Sequence, residues 1–170
     1  IKDALGGSKN WLLIGGPPCQ AYSVVGRSRR RESFLDEEKD ERVGLYKQYL
    51  RILAVHSPTV FIMENVKGLL SAKTKDSLIF GKILKDLSNP TQASLSEFRN
   101  ESNVLACPGY RIYSLVTEPY AFDSNGQPML HERDYVINCE KYGIPQTRHR
   151  VIMLGIRNDI DCRPELLQKQ

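Results

Sequence analysis

The chain has 170 residues, 41% of them hydrophobic and 26% charged, with a formal net charge of +4; this suits one soluble globular domain with a sizeable core and is compatible with a polyanionic partner without demanding one. No apolar run approaches the roughly 18 to 20 residues that span a bilayer, and the start Ile1-Lys2-Asp3 resembles neither a signal peptide nor a translated N-terminus, so the chain reads as a piece of something longer. Cys19, Cys107, Cys139 and Cys162, like His56, His131 and His149, are too scattered for a zinc site or a disulfide framework, so no metal and a reducing, intracellular setting are expected.

Trp11 to Ile14 reads as a short buried strand, and Glu41 to His56 as a helix in which Val43, Tyr46, Leu50 and Leu53 recur at helical spacing. Thr59 to Met63 is a second buried strand. Strand, crossover helix and strand make a parallel βαβ unit with a right-handed connection. Cys19 and Glu64 therefore leave the carboxyl ends of two neighbouring strands, where open α/β sheets place their ligand crevices.

Asp76 to Leu87 is predicted as a further helix and Ser88 to Gly109 as a polar loop with some helical content. Tyr110 to Val116 reads as a strand, and Pro119 to His131, containing Asp123-Ser124-Asn125-Gly126, as a turn or surface insertion. Asp134 to Cys139 and Val151 to Ile156 supply the last strands. Helices and strands alternate first and strands dominate later, which predicts one α/β sheet, parallel with an antiparallel portion near its C-terminal end.

Three segments carry chemistry. Cys19 stands in Ile14-Gly15-Gly16-Pro17-Pro18-Cys19-Gln20, where two prolines fix the backbone and cannot continue a central strand. Such a turn presents a side chain, so Cys19 reads as an attacking thiol, against the common use of free cysteine in packing. The second strand ends in Glu64-Asn65-Val66, which in isolation would be a helix or turn cap. If Gln146 to Arg150 is extended, Gln146, Arg148 and Arg150 project from one face and Thr147 and His149 from the other. Taken alone, that is a solvated basic edge, with His149 packing or facing solvent.

Together the blocks resemble the DNA cytosine-5 methyltransferase family, whose proline-cysteine-glutamine, glutamate-asparagine-valine and glutamine-x-arginine-x-arginine motifs stand here in order between Trp11 and Arg157. The resemblance implies a partial Rossmann-like methyltransferase sheet and methyl transfer from S-adenosylmethionine to carbon 5 of cytosine in double-stranded DNA. Carbon 5 is a poor nucleophile until a covalent adduct at carbon 6 interrupts the aromatic ring, and a thiolate can both attack and leave. Cys19 takes this part. Glu64 would face ring nitrogen 3, where holding a proton near neutral pH calls for an environment that raises its pKa, such as partial burial. Arg150, with Arg148 beside it, would contact the ring.

Gln20, Ser23, Arg27 and Gln146 correspond to nucleic-acid-binding positions, and Tyr22 to Arg42 to a flap whose arginines meet phosphates. The target base would be extruded from the duplex. Gly16, Pro18 and Leu45 would form what remains of the cofactor wall. The family's glycine-rich cofactor turn is missing, since Gly6-Gly7 follows no apolar strand, and so is its target-recognition region. Residues 1–170 thus correspond to the central part of a catalytic domain and, alone, are expected to be inactive. The resemblance implies a bacterial cytoplasmic setting at the nucleoid, within a restriction-modification or housekeeping system. Alternatives are a transfer RNA methyltransferase of the DNA-type branch and a non-catalytic nucleic-acid-binding remnant; a thiol hydrolase is disfavoured because no histidine motif suggests a base for Cys19.

Overall fold

A computed structural model of the chain describes residues 1–18, 41–72, 78–94 and 107–170. After a single helical turn, α1 (Lys2–Leu5), closed by left-handed Gly6, strand β1 (Leu12–Gly15) leads toward the Gly16-Pro17-Pro18 turn. The strand starts one residue later than expected and is not buried, since Leu12 and Ile14 are exposed and a single strand pairs with it among the described residues. Helix α2 (Glu41–His56) has the bounds expected from its periodicity. Tyr46, Leu50 and Leu53 are buried, while the Val43 side chain lies outside the described residues. Ser57, left-handed at φ 43, and Pro58 then end the helix, and Arg157 Nη1 donates to the Ser57 carbonyl at 2.5 Å.

Strand β2 (Val60–Val66) pairs in parallel with β1, placing Leu12 opposite Val60 and Gly15 opposite Met63. It runs three residues further than the sequence suggests. The reason is its other neighbour, the long β7 (His149–Arg157), whose antiparallel pairing continues through Glu64, Asn65 and Val66. The expected helix at Asp76 to Leu87 is observed as α3 (Ile79–Ser88), followed by one turn, α4 (Pro90–Ser94). Residues 73–77 and 95–106 lie outside the described set.

Strand β3 (Tyr110–Tyr113) is shorter than expected. Ser114 Oγ donates to the Asp134 carbonyl at 2.6 Å and accepts from Val116 N and Thr117 N, which turns the chain off the sheet. The anticipated surface turn is a hairpin of β4 (Ala121–Phe122) and β5 (Pro128–Met129), with Asp123 Oδ1 accepting from Asn125 N and Gln127 N. Strand β6 (Val136–Asn138) starts two residues late because Glu132–Tyr135 forms a 3-10 turn that Asp134 caps by accepting from His131 N at 2.7 Å.

The main sheet runs β1-β2-β7-β3, with β6 also on β7, so it is parallel at β1–β2 and antiparallel thereafter. Tyr49, Leu53, Phe61, Met63, Phe80, Leu87, Tyr110 and Met153 form the core between the helices and one sheet face. Burying a side chain the size of Phe61 contributes about 1.5–3 kcal/mol. The opposite face carries a smaller cluster of Tyr113, Leu154 and Ile156. No helix among the described residues is long and apolar enough to cross a membrane.

Candidate active site

The site is built where β1, β2 and β7 meet at the carboxyl ends of the two parallel strands. On β2, Phe61, Met63 and Asn65 are buried on the helix side, so Glu64 points to the other face. Arg150 lies opposite Val66 across the antiparallel ladder, hence on Glu64's face and one diagonal step away, a separation that long side chains bridge. Arg150 Nε approaches Glu64 Oε1 to 2.7 Å. The contact is an ion pair without hydrogen-bond alignment, since buried Nε has no hydrogen-bond partner while Nη1 donates to the His149 carbonyl at 2.8 Å. Glu64 is not sealed in hydrocarbon: its side chain is 40% exposed, against 22% for Arg150.

Asn65 looks the other way and is 5% exposed. Its Nδ2 donates to the Pro17 carbonyl at 3.2 Å, and its Oδ1 accepts from Val66 N at 2.9 Å. The turn that precedes Cys19 is therefore tied to the residue beside Glu64. Beneath it, a Cβ on Gly15 would lie 2.7 Å from Tyr49 Cε2. Burial pushes the Tyr49 phenol well above its ordinary value, and its hydroxyl donates to the Ile62 carbonyl at 3.2 Å.

Gly16 borders the carboxylate directly, since a Cβ there would sit 3.1 Å from Glu64 Oε2. Leu45, in the first turn of α2, is half exposed. A glycine that keeps the space beside Glu64 open, and an apolar side chain left uncovered, fit a wall for an adenosine-bearing donor. Pro18 is exposed. Cys19, Gln20, Ser23, Arg27 and the rest of the arginine flap lie outside the described residues. Among those described, no three His, Cys, Asp or Glu side chains form a group that could hold a metal ion.

The polar comb is formed in part. Residues 145 and 146 make a bend, Gln146 is exposed with its N–H on the Ile144 carbonyl, and the strand begins at His149. Arg148 is exposed and its carbonyl accepts from Cys139 N at 3.0 Å, so Arg150 is the arginine that register carries to Glu64. Sequence reasoning missed one pair here: His149 Nε2 lies 2.9 Å from Glu140 Oε1. The two are joined through a 3-10 turn at Cys139–Tyr142 and a left-handed Gly143, a separation that no helical or strand period marks.

A family model described as C-5 cytosine-specific DNA methylase matches residues 8–107 and 130–170. The chain belongs to that family. Among the relatives of this chain, Type II methyltransferase M.Bpa9945I of Bacillus paralicheniformis is 33% identical over 88% of it, and Type II methyltransferase M.DdeI of Desulfomicrobium norvegicum is 30% identical over 91%. DNA (cytosine-5-)-methyltransferase M.ApeKI of Aeropyrum pernix is 31% identical over 88%. The matched regions are 26%, 26% and 27% of those proteins, so the chain spans about a quarter of the length of these relatives. Residues 108–129, between the matched stretches, hold β3 and the β4–β5 hairpin.

Proposed function

We propose that this chain is the central part of the catalytic domain of an enzyme that methylates carbon 5 of cytosine in double-stranded DNA. The observation that carries the reading is the meeting of Glu64 and Arg150 at 2.7 Å, beside an Asn65 that tethers the turn leading to Cys19. Three segments distant in sequence converge on one place, as a reaction at a single pyrimidine requires.

In this mechanism the Cys19 thiolate adds to carbon 6 of the base, forming an S–C6 bond and moving the ring electrons toward nitrogen 3 and carbon 5. Glu64 faces nitrogen 3, and Arg150 donates toward exocyclic oxygen 2 of the base while its charge offsets the negative charge that develops there. Bound S-adenosylmethionine would supply a methyl cation equivalent to carbon 5, with Gly16, Pro18 and Leu45 along its wall. A solvent water or hydroxide then takes the carbon 5 proton, and the released electron pair re-forms the C5–C6 double bond, breaks the S–C6 bond and expels the thiolate. Gln20, Ser23, Arg27 and Gln146 are proposed to contact the extruded nucleotide and its flanking phosphates. Arg148 supports Arg150 from the surface.

The parent enzyme would act in the bacterial cytoplasm, at the nucleoid, as part of a restriction-modification system, a reading that the Type II names of relatives support. Residues 1–170 alone are proposed to be inactive, because they span only about a quarter of the length of the relatives they match.

The test is to incubate the full-length protein with labelled S-adenosylmethionine and duplex DNA, and separately to offer 5-fluorocytosine in DNA and in transfer RNA. Label on cytosine and a covalent trap on DNA are expected. A trap on RNA alone would replace the DNA reading with the transfer RNA one, and neither label nor trap would leave a non-catalytic nucleic-acid binder.

A further inference from the structure

His149 sits immediately before Arg150, and two interactions meet on it. Its Nε2 is 2.9 Å from Glu140 Oε1, and its carbonyl accepts Arg150 Nη1 at 2.8 Å. Glu140 rides on the 3-10 turn that follows β6, and that turn is fixed to the same part of β7: Asn138 pairs in register with His149, and Cys139 N donates to the Arg148 carbonyl. A continuous line of contacts therefore runs from Glu140 through His149 and Arg150 to Glu64.

Resting on the methyltransferase reading above, we propose that Glu140 and His149 are a positioning pair that holds the Arg150 guanidinium against Glu64 before the base arrives. Neither touches the base. Arginine is long and has many rotamers, and a donor fixed in advance needs no reorganisation when charge develops. The Glu140 carboxyl is held below the usual carboxylate range, first by a backbone N–H of its own turn and then by His149. It is thus an ionised acceptor, which selects the His149 form with hydrogen on Nε2. The register of β7 brings Arg150 to the correct face and to the Glu64 carboxylate; the hydrogen bond of Nη1 to the main-chain carbonyl of His149 sets the direction of the head, and the Glu140 contact of the His149 side chain holds that residue at the start of the strand.

The experiment uses the full-length protein in single-turnover methyl transfer to duplex DNA, with thermal unfolding to confirm that each variant is folded. His149→Ala and Glu140→Ala are each expected to slow the transfer step roughly tenfold, below the hundredfold cost of a 1 Å misplacement, with the KM for donor and DNA unchanged. His149→Gln, whose side-chain amide can donate to Glu140, should recover most of the rate. In an Arg150→Ala background, His149→Ala should have no further effect. A wild-type rate in His149→Ala, a His149→Gln variant as slow as the alanine, or an undiminished effect without Arg150 would each overturn the pairing. A loss confined to the KM for DNA would also overturn it, by making His149 a DNA contact. If the wild-type protein transfers no methyl group, the methyltransferase reading falls and takes this inference with it.

Discussion

Glu64 and Arg150 meet at 2.7 Å because β2 and β7 are antiparallel and in a register that sets Arg150 opposite Val66, two residues beyond Glu64 on the same face. A slip of one residue would send the guanidinium to the opposite side of the sheet, into the helix-packed core. The charge pair at the site is thus a consequence of strand pairing, and the apolar residues that fix the register also fix the chemistry.

Replacing Glu64 by Gln keeps the shape of the side chain but removes the proton-carrying role proposed for it. In the full-length protein, methyl transfer should fall by about a hundredfold or more, and trapping by 5-fluorocytosine should slow in parallel. Arg150→Lys should not behave as wild type, since an ammonium lacks the planar fork that spans two acceptors. Near-normal rates in both variants would remove this pair from the mechanism.

Asn65 is buried with both ends of its amide engaged, on the Pro17 carbonyl and on Val66 N. Asn65→Ala leaves the Pro17 carbonyl without that donor and should cost about 1–3 kcal/mol in urea unfolding. It should also slow adduct formation, because the turn before Cys19 loses its anchor. Asn65→Asp keeps the acceptor for Val66 N but cannot donate, so it should fail to restore the rate; full recovery in that variant would show that the tether does not matter.

Gly155 pairs with Phe61 on β2 and with Ile112 on β3, and a Cβ at this position would clash with the Cδ1–Cε1–Cζ edge of the Phe61 ring. That ring is fully buried and packs edge-on against Tyr49 and Tyr110, so it has nowhere to retreat. Gly155→Ala is expected to destabilise the protein by about 1–3 kcal/mol, the usual cost of overpacking. Combining it with Phe61→Leu should give less than the sum of the two losses; strict additivity would place the clash elsewhere.

Arg157 donates from Nε to Asp159 Oδ1 at 2.7 Å, and this bond is the main reason the Asp159 carboxyl is held below the usual carboxylate range. With the folded pKa below the unfolded one, the pair's stabilisation is complete above the unfolded value of about 3.9 and is lost as the pH falls through the lower folded value. Asp159 is 51% exposed, so solvent screening limits the contribution to about 1 kcal/mol or less. The stability difference between wild type and Asp159→Asn should be largest near neutrality and close in acid. A difference that did not change with pH would assign the effect to packing.

The sequence by itself determined the α2 helix to the residue, the parallel pairing of β1 with β2, and the family, and it singled out Glu64 and Arg150, which the fold brings together. These were legible because they rest on local periodicity or on contiguous motifs. Strand ends were misjudged wherever a distant group set them: β2 runs on because β7 continues beside it, β3 stops because Ser114 bonds to the Asp134 carbonyl, and β6 starts late because Asp134 caps a turn.

Tertiary structure alone decided that Arg150 reaches Glu64, that Gln146 turns away in a bend, and that His149 is held by Glu140 rather than facing solvent unpaired. Side-chain direction in a sheet depends on register, and register is settled by which apolar faces pack together across the whole domain. A one-dimensional pattern records which residues can do the chemistry, whereas their mutual distance is set by the strands that lie between them.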